Sequence, residues 1–463
     1  MDPKAASDYR KPRIASCACV LLGVVWAALA LAALLPAASN AETRAYFGNL
    51  HAHSQLSDGH ADISPRQAFD LAKGEGKLDF LCLSEHNHML EPTEFATLMS
   101  AATAATKDGF VALFGQEFST ITKGFNHTNI HNYPNVIGAE YNGRYRDVFQ
   151  DVLGSYRSAH PESTIVAAFN HPKSIETDYG LKKDFGGDWS AFVQTLDPIV
   201  QLIAIGNGPA DAASKSFVPG PGGRFLHRDV SITTWFSYLA RGMHLAPQID
   251  HDTHSATYGF RVDGRTAVWV DGALTKEGLL KALMARHCYA TEDRNLTILP
   301  KVTGSRLPGD ILPIQGDGVL QLDLSITDPD EPAAAYQLEV WSGVAGSGTA
   351  PRRQSGLSQR RDGDGPLTLT LPASEPAYFV IHVRQESATG PCGKSDDAYL
   401  APIWISEVAG DDHIEDAYAF VGSKNSSVYH YPDCRDVARI AAHNLRYYDA
   451  APEGKRLHQG CPR

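Results

Sequence analysis

Cysteine, methionine and tryptophan are scarce, at seven, five and six among 463 residues. With Cys17 and Cys19 inside an early apolar stretch, the chain beyond residue 41 keeps Cys82, Cys288, Cys392, Cys434 and Cys461. An odd set cannot all pair within one chain, so at least one thiol is left free. Cys82 stands in the run Phe80-Leu-Cys-Leu83 and reads as a buried free thiol. Basic residues are also in deficit: 41 Lys and Arg face 53 Asp and Glu, a formal charge of −12. Residues 1–41 carry four of the basic and two of the acidic residues, so the chain without them stands at −14. That balance argues against tight binding to duplex nucleic acid, while a local basic patch or bound metals could still handle a phosphate. No self-similarity recurs at a fixed period, which excludes a solenoid or propeller.

An apolar stretch of membrane-spanning length opens the chain. Lys4, Arg10, Lys11 and Arg13 precede an uncharged run from Ile14 to Asn40, and Ser39-Asn40-Ala41 offers small residues for cleavage. This pattern is that of an export signal removed after Ala41, giving a periplasmic or secreted protein with no stable membrane association; the alternative is an uncleaved anchor.

Length alone implies two or three domains. From Ala45 to about Leu299, short apolar runs alternate with helical stretches, the signature of an α/β domain with a largely parallel sheet. Strands are expected at Phe80–Ser84, Val111–Gly115, Ile165–Asn170 and Ile199–Ile205, and helices at Pro65–Lys73 and Leu274–Arg286. Between residues 300 and 408 the period becomes two, in Leu320–Ile326, Tyr336–Trp341, Leu367–Leu371 and Tyr378–Val383, as in a small antiparallel β-sandwich. Gly343–Gly365, rich in Gly, Ser and Arg, reads as a mobile loop within it. Residues 411–463 make a short module too small to stand without a staple or a neighbour.

The chemistry gathers at the ends of the expected strands. His51-Ala-His53 places two imidazoles on one side of an extended segment, and Asp58 follows closely enough to curl back as a carboxylate. Phe80-Leu-Cys-Leu-Ser-Glu-His86 delivers an imidazole, Val111-Ala-Leu-Phe-Gly-Gln-Glu117 a carboxylate, and Val166-Ala-Ala-Phe-Asn-His171 another imidazole. Asp252-Thr-His254 repeats the two-apart device. Any one of these histidines reads equally well as a loop residue or a satisfied core side chain. Five apolar runs each ending in His, Asp or Glu read instead as one mixed-donor metal site, since open α/β sheets keep their sites at the carboxyl ends of strands.

The order His-x-His, Ser-Asp-Gly, Ser-Glu-His-Asn-His, Gly-x-Glu, Asn-His-Pro and Asp-x-His resembles the PHP (polymerase and histidinol phosphatase) superfamily, more narrowly its secreted and CehA/McbA-like branches, over roughly residues 45–299. The resemblance implies a distorted (β/α)7 TIM-like barrel holding two or three divalent ions, Zn, Mn or Fe, and phosphoester hydrolysis on a small-molecule phosphoester or nucleotide. Its ligand positions fall on His51, His53, Asp58, His86, Glu117, His171, Asp252 and His254. A further ligand is implied between Glu117 and His171, where His127 is preferred to His131. The Asp that usually precedes the second-motif ligand is Glu85 here, which bears on metal tuning more than on metal binding. Catalytic roles are expected of Asp252, His254, His251 and His88, with His251, His88 or His60 supplying the leaving-group proton. Lys173 and Arg224 could orient a phosphate, or serve only as surface charges. Two other functions are compatible with the same motifs: carbamate or aryl-ester hydrolysis, as in the CehA-like branch, and a non-catalytic metal-binding scaffold.

The tail Gly422-Ser-Lys-Asn-Ser-Ser-Val-Tyr-His430-Tyr-Pro-Asp-Cys434, with Cys461 near the end, resembles the small Ada-type metal-binding module. The final Cys-x-x-Cys of that module is incomplete here, leaving a tetrahedral site one ligand short. A Cys434–Cys461 disulfide is therefore expected in preference to zinc.

Overall fold

The computed structural model describes residues 42–119, 126–172, 179–207, 228–260, 262–302, 306–386, 395–407 and 418–461. The signal-like segment, Lys173, Arg224 and Cys392 lie outside them. Seven strands succeed one another across a mixed sheet in sequence order: β1 (Thr43–Asn49), β2 (Phe80–His86), β3 (Val111–Phe118), β4 (Thr128–His131), β5 (Val166–Phe169), β6 (Val200–Asn207) and β7 (Ala246–Asp250). All neighbours are parallel except β4, which runs antiparallel to both β3 and β5. Beyond β7, Ala52 and Thr253 form an isolated parallel bridge, so the chain leaving β7 returns beside the chain leaving β1.

Strand β3 is buried along its whole length and β2 along all but its last residue, as parallel strands covered on both faces must be. Leu81, Leu83, Ala112 and Phe114 pack outward against α1 (Pro65–Gly74) and α2 (Pro92–Ala105) through Phe69, Ala72, Phe95 and Leu98. Helix α1 starts where local chemistry requires it: Ser64 caps it, Gln67 closes the capping box and Pro65 occupies the first turn. Helices α3 (Trp189–Leu196) and α4 (Arg228–Ala240) supply Phe192, Leu196, Trp235, Tyr238 and Leu239 to the outer face of β5 and β6. On the opposite face Phe80, Cys82, Val111, Leu113, Val166 and Ala168 share a core with Leu279, Leu280 and Leu283 of α5 (Lys276–Met284). Because side chains alternate, this inner face reads Phe80, Cys82, Ser84, His86 along β2 and Val111, Leu113, Gly115, Glu117 along β3, paired rung by rung. Apolar packing at one end thus converts to His and Glu at the other.

Close approach of β1 to β2 depends on Gly48, where an added Cβ would lie 2.3 Å from the Phe80 carbonyl oxygen. We expect Gly48→Ala to cost about 1–3 kcal/mol of stability, read as an earlier thermal or denaturant transition; an unchanged transition would contradict this packing.

On the other side of β1 lies β8 (Arg265–Asp271), antiparallel to it, then β9 (Cys288–Thr291), antiparallel to β8, and β9 pairs directly with Asp396–Leu400. The sheet therefore runs without a break into the expected sandwich region, and from Thr43 onward the chain is one compact unit. A three-stranded antiparallel sheet of Thr297–Val302, Val319–Thr327 and Gly365–Pro372 shares its core with Ala335–Gly343 and Ala377–Glu386. Val319–Thr327 alternates exposed and buried at every residue, the period its sequence predicts.

Two expectations are corrected. Within Gly343–Gly365, Arg352–Arg353 and Gln359–Asp362 pair with Ala335–Gly343, so part of the segment covers a strand edge, while residues 344–351 remain loop and turn. Arg353 to Glu339 and Arg360 to Glu386, both 2.6 Å, help to hold it there. Cys434 and Cys461 are free thiols, not a disulfide, and lie in one group with His430 and His458. Cys82 is buried and free, as its apolar run implies.

Candidate metal centre

The nine residues expected as ligands come together at the polar ends of these strands. His51 and His53 follow β1, His86 ends β2, Glu117 lies near the end of β3, His127 precedes β4, His171 follows β5, and Asp252 and His254 follow β7. Asp58 reaches in from the turn after His53. They fall into four overlapping groups, in each of which the ligand atoms lie within 4.8 Å of one another: His51, His53, Asp252; His51, Glu117, His171; His86, Glu117, His127; and His53, Asp58, His86, His254.

Glu117 is the hinge of the arrangement. Its Oε1 faces His171 Nε2 at 2.9 Å, His127 Nδ1 at 3.1 Å and His51 Nε2 at 3.3 Å, while its Oε2 faces His86 Nδ1 at 3.1 Å and His53 Nε2 at 3.5 Å. Beside it, His51 Nε2, His53 Nε2 and Asp252 Oδ1 form a triangle with edges of 3.1, 3.2 and 3.3 Å. Donors bonded to one ion at about 2.0–2.2 Å stand roughly 3.0–3.5 Å apart, so these spacings fit a shared cation. Asp58 lies farther out, its side chain 46 % exposed, at 3.2 Å from His254 Nε2 and 3.4 Å from His86 Nε2.

The donors also have the chemistry of ligands. Nδ1 of His86 and His127 and Oε2 of Glu117, all facing the cluster, are buried without a hydrogen-bond partner, a cost that a cation would relieve. Burial alone would raise the Glu117 and Asp252 carboxyls; the surrounding imidazoles outweigh it and hold both well below the usual carboxylate range. Burial pulls the His53 imidazole down to about 4, favouring the neutral, ligating form. These residues fit a site for divalent cations. Two of them, His171 (φ 26°) and Asp252 (φ 48°), sit in left-handed backbone, a strain of about 1–2 kcal/mol each that the packing around them sustains.

Several supporting residues escaped the sequence reading. Asn49 Oδ1 accepts from the backbone N–H of both His51 and His251, at 3.1 Å each, tying the exits of β1 and β7 together. Asp250 stands behind His51, Oδ2 to Nδ1 at 3.6 Å, and both its oxygens accept from Gln248 Nε2 at 2.9 Å. Asn170 donates to Glu117 Oε1 at 3.0 Å, and Tyr258 donates its hydroxyl to the His53 carbonyl at 2.8 Å. Asn49 had a signal in hand, since it lies two and four residues before His51 and His53 and so shares their face. Glu85 is buried and accepts from the Ser54 N–H and from the Ser54 and Ser57 hydroxyls, fixing the turn that leads to Asp58.

The structure separates the remaining candidates. His131 is placed away from the four groups, beside Cys82 Sγ at 3.2 Å, whereas His127 is within them. His251 is not brought to the cluster: its Nε2 donates to the Gly264 carbonyl at 2.7 Å, and burial with the nearby Arg265 cation pulls it down to about 3. His60 is exposed and accepts locally from the Asp62 N–H. His88 is exposed at the edge of the cluster, its ring centre 5.4 Å from that of His86 and its Nδ1 3.0 Å from the Ser119 hydroxyl. No protein-family model matches this chain, and no curated protein does.

Proposed function

We propose that this chain is an exported metal-dependent phosphoesterase of the PHP type, acting on small phosphomonoesters or phosphodiesters, nucleotides among them. The observation that carries this reading is the division of Glu117 between two sets of imidazoles, Oε1 to one and Oε2 to the other, with the His51, His53, Asp252 triangle alongside. A carboxylate so placed suits two adjacent cations, Zn, Mn or Fe, and Asp58 with His254 could complete a third position. The seven strands are read as a distorted barrel joined across the Ala52–Thr253 bridge, with the site at its carboxyl mouth.

Divalent cations supply, when bound, the positive charge that makes a water acidic and neutralises phosphoryl oxygens. His51, His53, His86, Glu117, His127, His171 and Asp252 would hold them. Asn49, Asp250 and Asn170 fix the orientation of His51 and Glu117, so that donors need little rearrangement during turnover. His88 stands at the exposed rim with one ring nitrogen anchored by Ser119, and would use the other to protonate the leaving oxygen. His88→Ala is expected to slow hydrolysis of an alkyl phosphate by about a hundredfold or more and of a nitrophenyl phosphate far less, because a good leaving group needs no proton. Equal losses on both esters would remove His88 from that role.

Parallel assays on an aryl phosphate and an aryl carbamate, with manganese or zinc added, test the function itself. Preferred phosphate release supports the proposal. Preferred carbamate cleavage would assign a CehA-like activity instead, and inertness toward both with cations bound would leave a scaffold.

A further inference from the structure

We infer that His430, Cys434, His458 and Cys461 form a second metal site, tetrahedral and structural, that clips the C-terminal module together and holds a zinc-class cation. It stands independently of the proposed hydrolysis, since it shares no residue with the Glu117 cluster.

The four ligand atoms lie within 4.8 Å of one another, although Cys434 and His458 are far apart in sequence. Each pair arrives on its own tight turn. His430 ends the strand Val428–His430, and the turn after it is closed by Cys434 N–H to the Tyr431 carbonyl at 3.0 Å. His458 and Cys461 share a second turn, with Cys461 N–H to the His458 carbonyl at 3.3 Å. Parallel pairing of Tyr429 with Leu457, and His458 N–H to the Tyr429 carbonyl at 2.8 Å, bring the turns side by side.

Distances favour coordination over a disulfide. Metal–sulfur bonds of about 2.3 Å and metal–nitrogen bonds of about 2.0–2.1 Å, at tetrahedral angles, set sulfur–nitrogen edges at about 3.6 Å. Cys461 Sγ lies 3.5 Å from His430 Nδ1 and 3.7 Å from His458 Nδ1. The two imidazoles stand with ring centres 4.8 Å apart, and a disulfide would leave that convergence without a purpose. Cys434 and His430 are buried at 3 % and 8 % exposure, while Cys461 and His458 are half-buried. Asp436 approaches His458 Nδ1 at 3.7 Å but is already engaged by Arg439 at 2.8 Å. His458 thus supplies the ligand that the incomplete cysteine pattern lacks.

A need for such a clip is plain from the module's core, which consists of Tyr418, Val421 and Tyr447 with partial help from Val437 and Leu445. So few apolar side chains cannot order a segment of this size unaided. The clipped module docks on the preceding domain through Gly316 N–H to the Tyr447 carbonyl at 2.7 Å, Gln315 Nε2 to the Tyr418 hydroxyl at 2.7 Å and Arg306 to Asp449 at 2.9 Å.

Cobalt titration of the metal-free full-length chain under reducing conditions tests the site apart from the Glu117 cluster, which has no thiolate. A near-ultraviolet thiolate-to-cobalt band should saturate at the intensity of one two-thiolate site per chain, survive in Glu117→Gln and vanish in the double variant Cys434→Ser, Cys461→Ser. His458→Ala should weaken the affinity read from this band by on the order of a hundredfold, and His458→Cys should restore it. Hydrogen exchange should quicken over Phe420–Ser423 and Leu445–Tyr448 when zinc is removed. Absence of the band while both thiols are free, or a protein isolated with a Cys434–Cys461 disulfide that neither zinc nor reductant converts to a cobalt-binding form, would overturn the inference.

Discussion

Glu117→Gln is expected to lower kcat/KM at least about a thousandfold, roughly 4 kcal/mol of transition-state stabilisation, while the chain still folds. The substitution keeps the shape of a side chain that is only 1 % exposed and removes the charge to which five imidazoles point. A neutral amide cannot bridge two cations, so bound metal should fall by at least one ion per chain, measured beside a circular dichroism spectrum that does not change. Loss of activity with full metal content would mean that Glu117 acts otherwise than as a bridge. Retained activity would mean that the cluster is not the site of turnover.

The second large effect is on stability. Six imidazoles and three carboxylates share the cluster, several with buried atoms that lack hydrogen bonds, so a bound cation should stabilise the folded chain strongly. At a free concentration a thousand times the dissociation constant, each site adds about 4 kcal/mol. We therefore expect chelation to lower Tm by on the order of ten degrees and manganese or zinc to restore it. The variant Cys434→Ser, Cys461→Ser isolates the effect at Glu117 from that of the C-terminal clip. A melting temperature indifferent to chelator in that background would contradict the reading of the cluster as a cation site.

Which features were legible in the sequence follows from the range of the forces involved. The helical stretch Pro65–Lys73 announced α1, and alternation over Leu320–Ile326 announced Val319–Thr327. The candidate site was legible for the same reason: His51 with His53, and Asp252 with His254, are two apart, and β2 and β3 carry apolar residues up to His86 and Glu117. Alternation also disfavours His251, which as the neighbour of Asp252 turns to Gly264. Long-range pairing was less visible. Gln359–Asp362 reads as loop by composition because its order comes from the edge of Ala335–Gly343, distant in sequence. His458 was missed because attention to cysteine spacing hides an imidazole in a cysteine's place, and only the pairing of Tyr429 with Leu457 reveals it. Asp250 reads as the end of a buried strand until His51 is seen beside it.

The most direct test of the central claim is anomalous diffraction from crystals of the full-length chain grown with manganese. The account requires at least two peaks beside the Glu117 carboxylate, one within reach of His51 and His171 and the other of His86 and His127. Crystals whose anomalous map is empty around Glu117, in protein that binds the ion in solution, would contradict it.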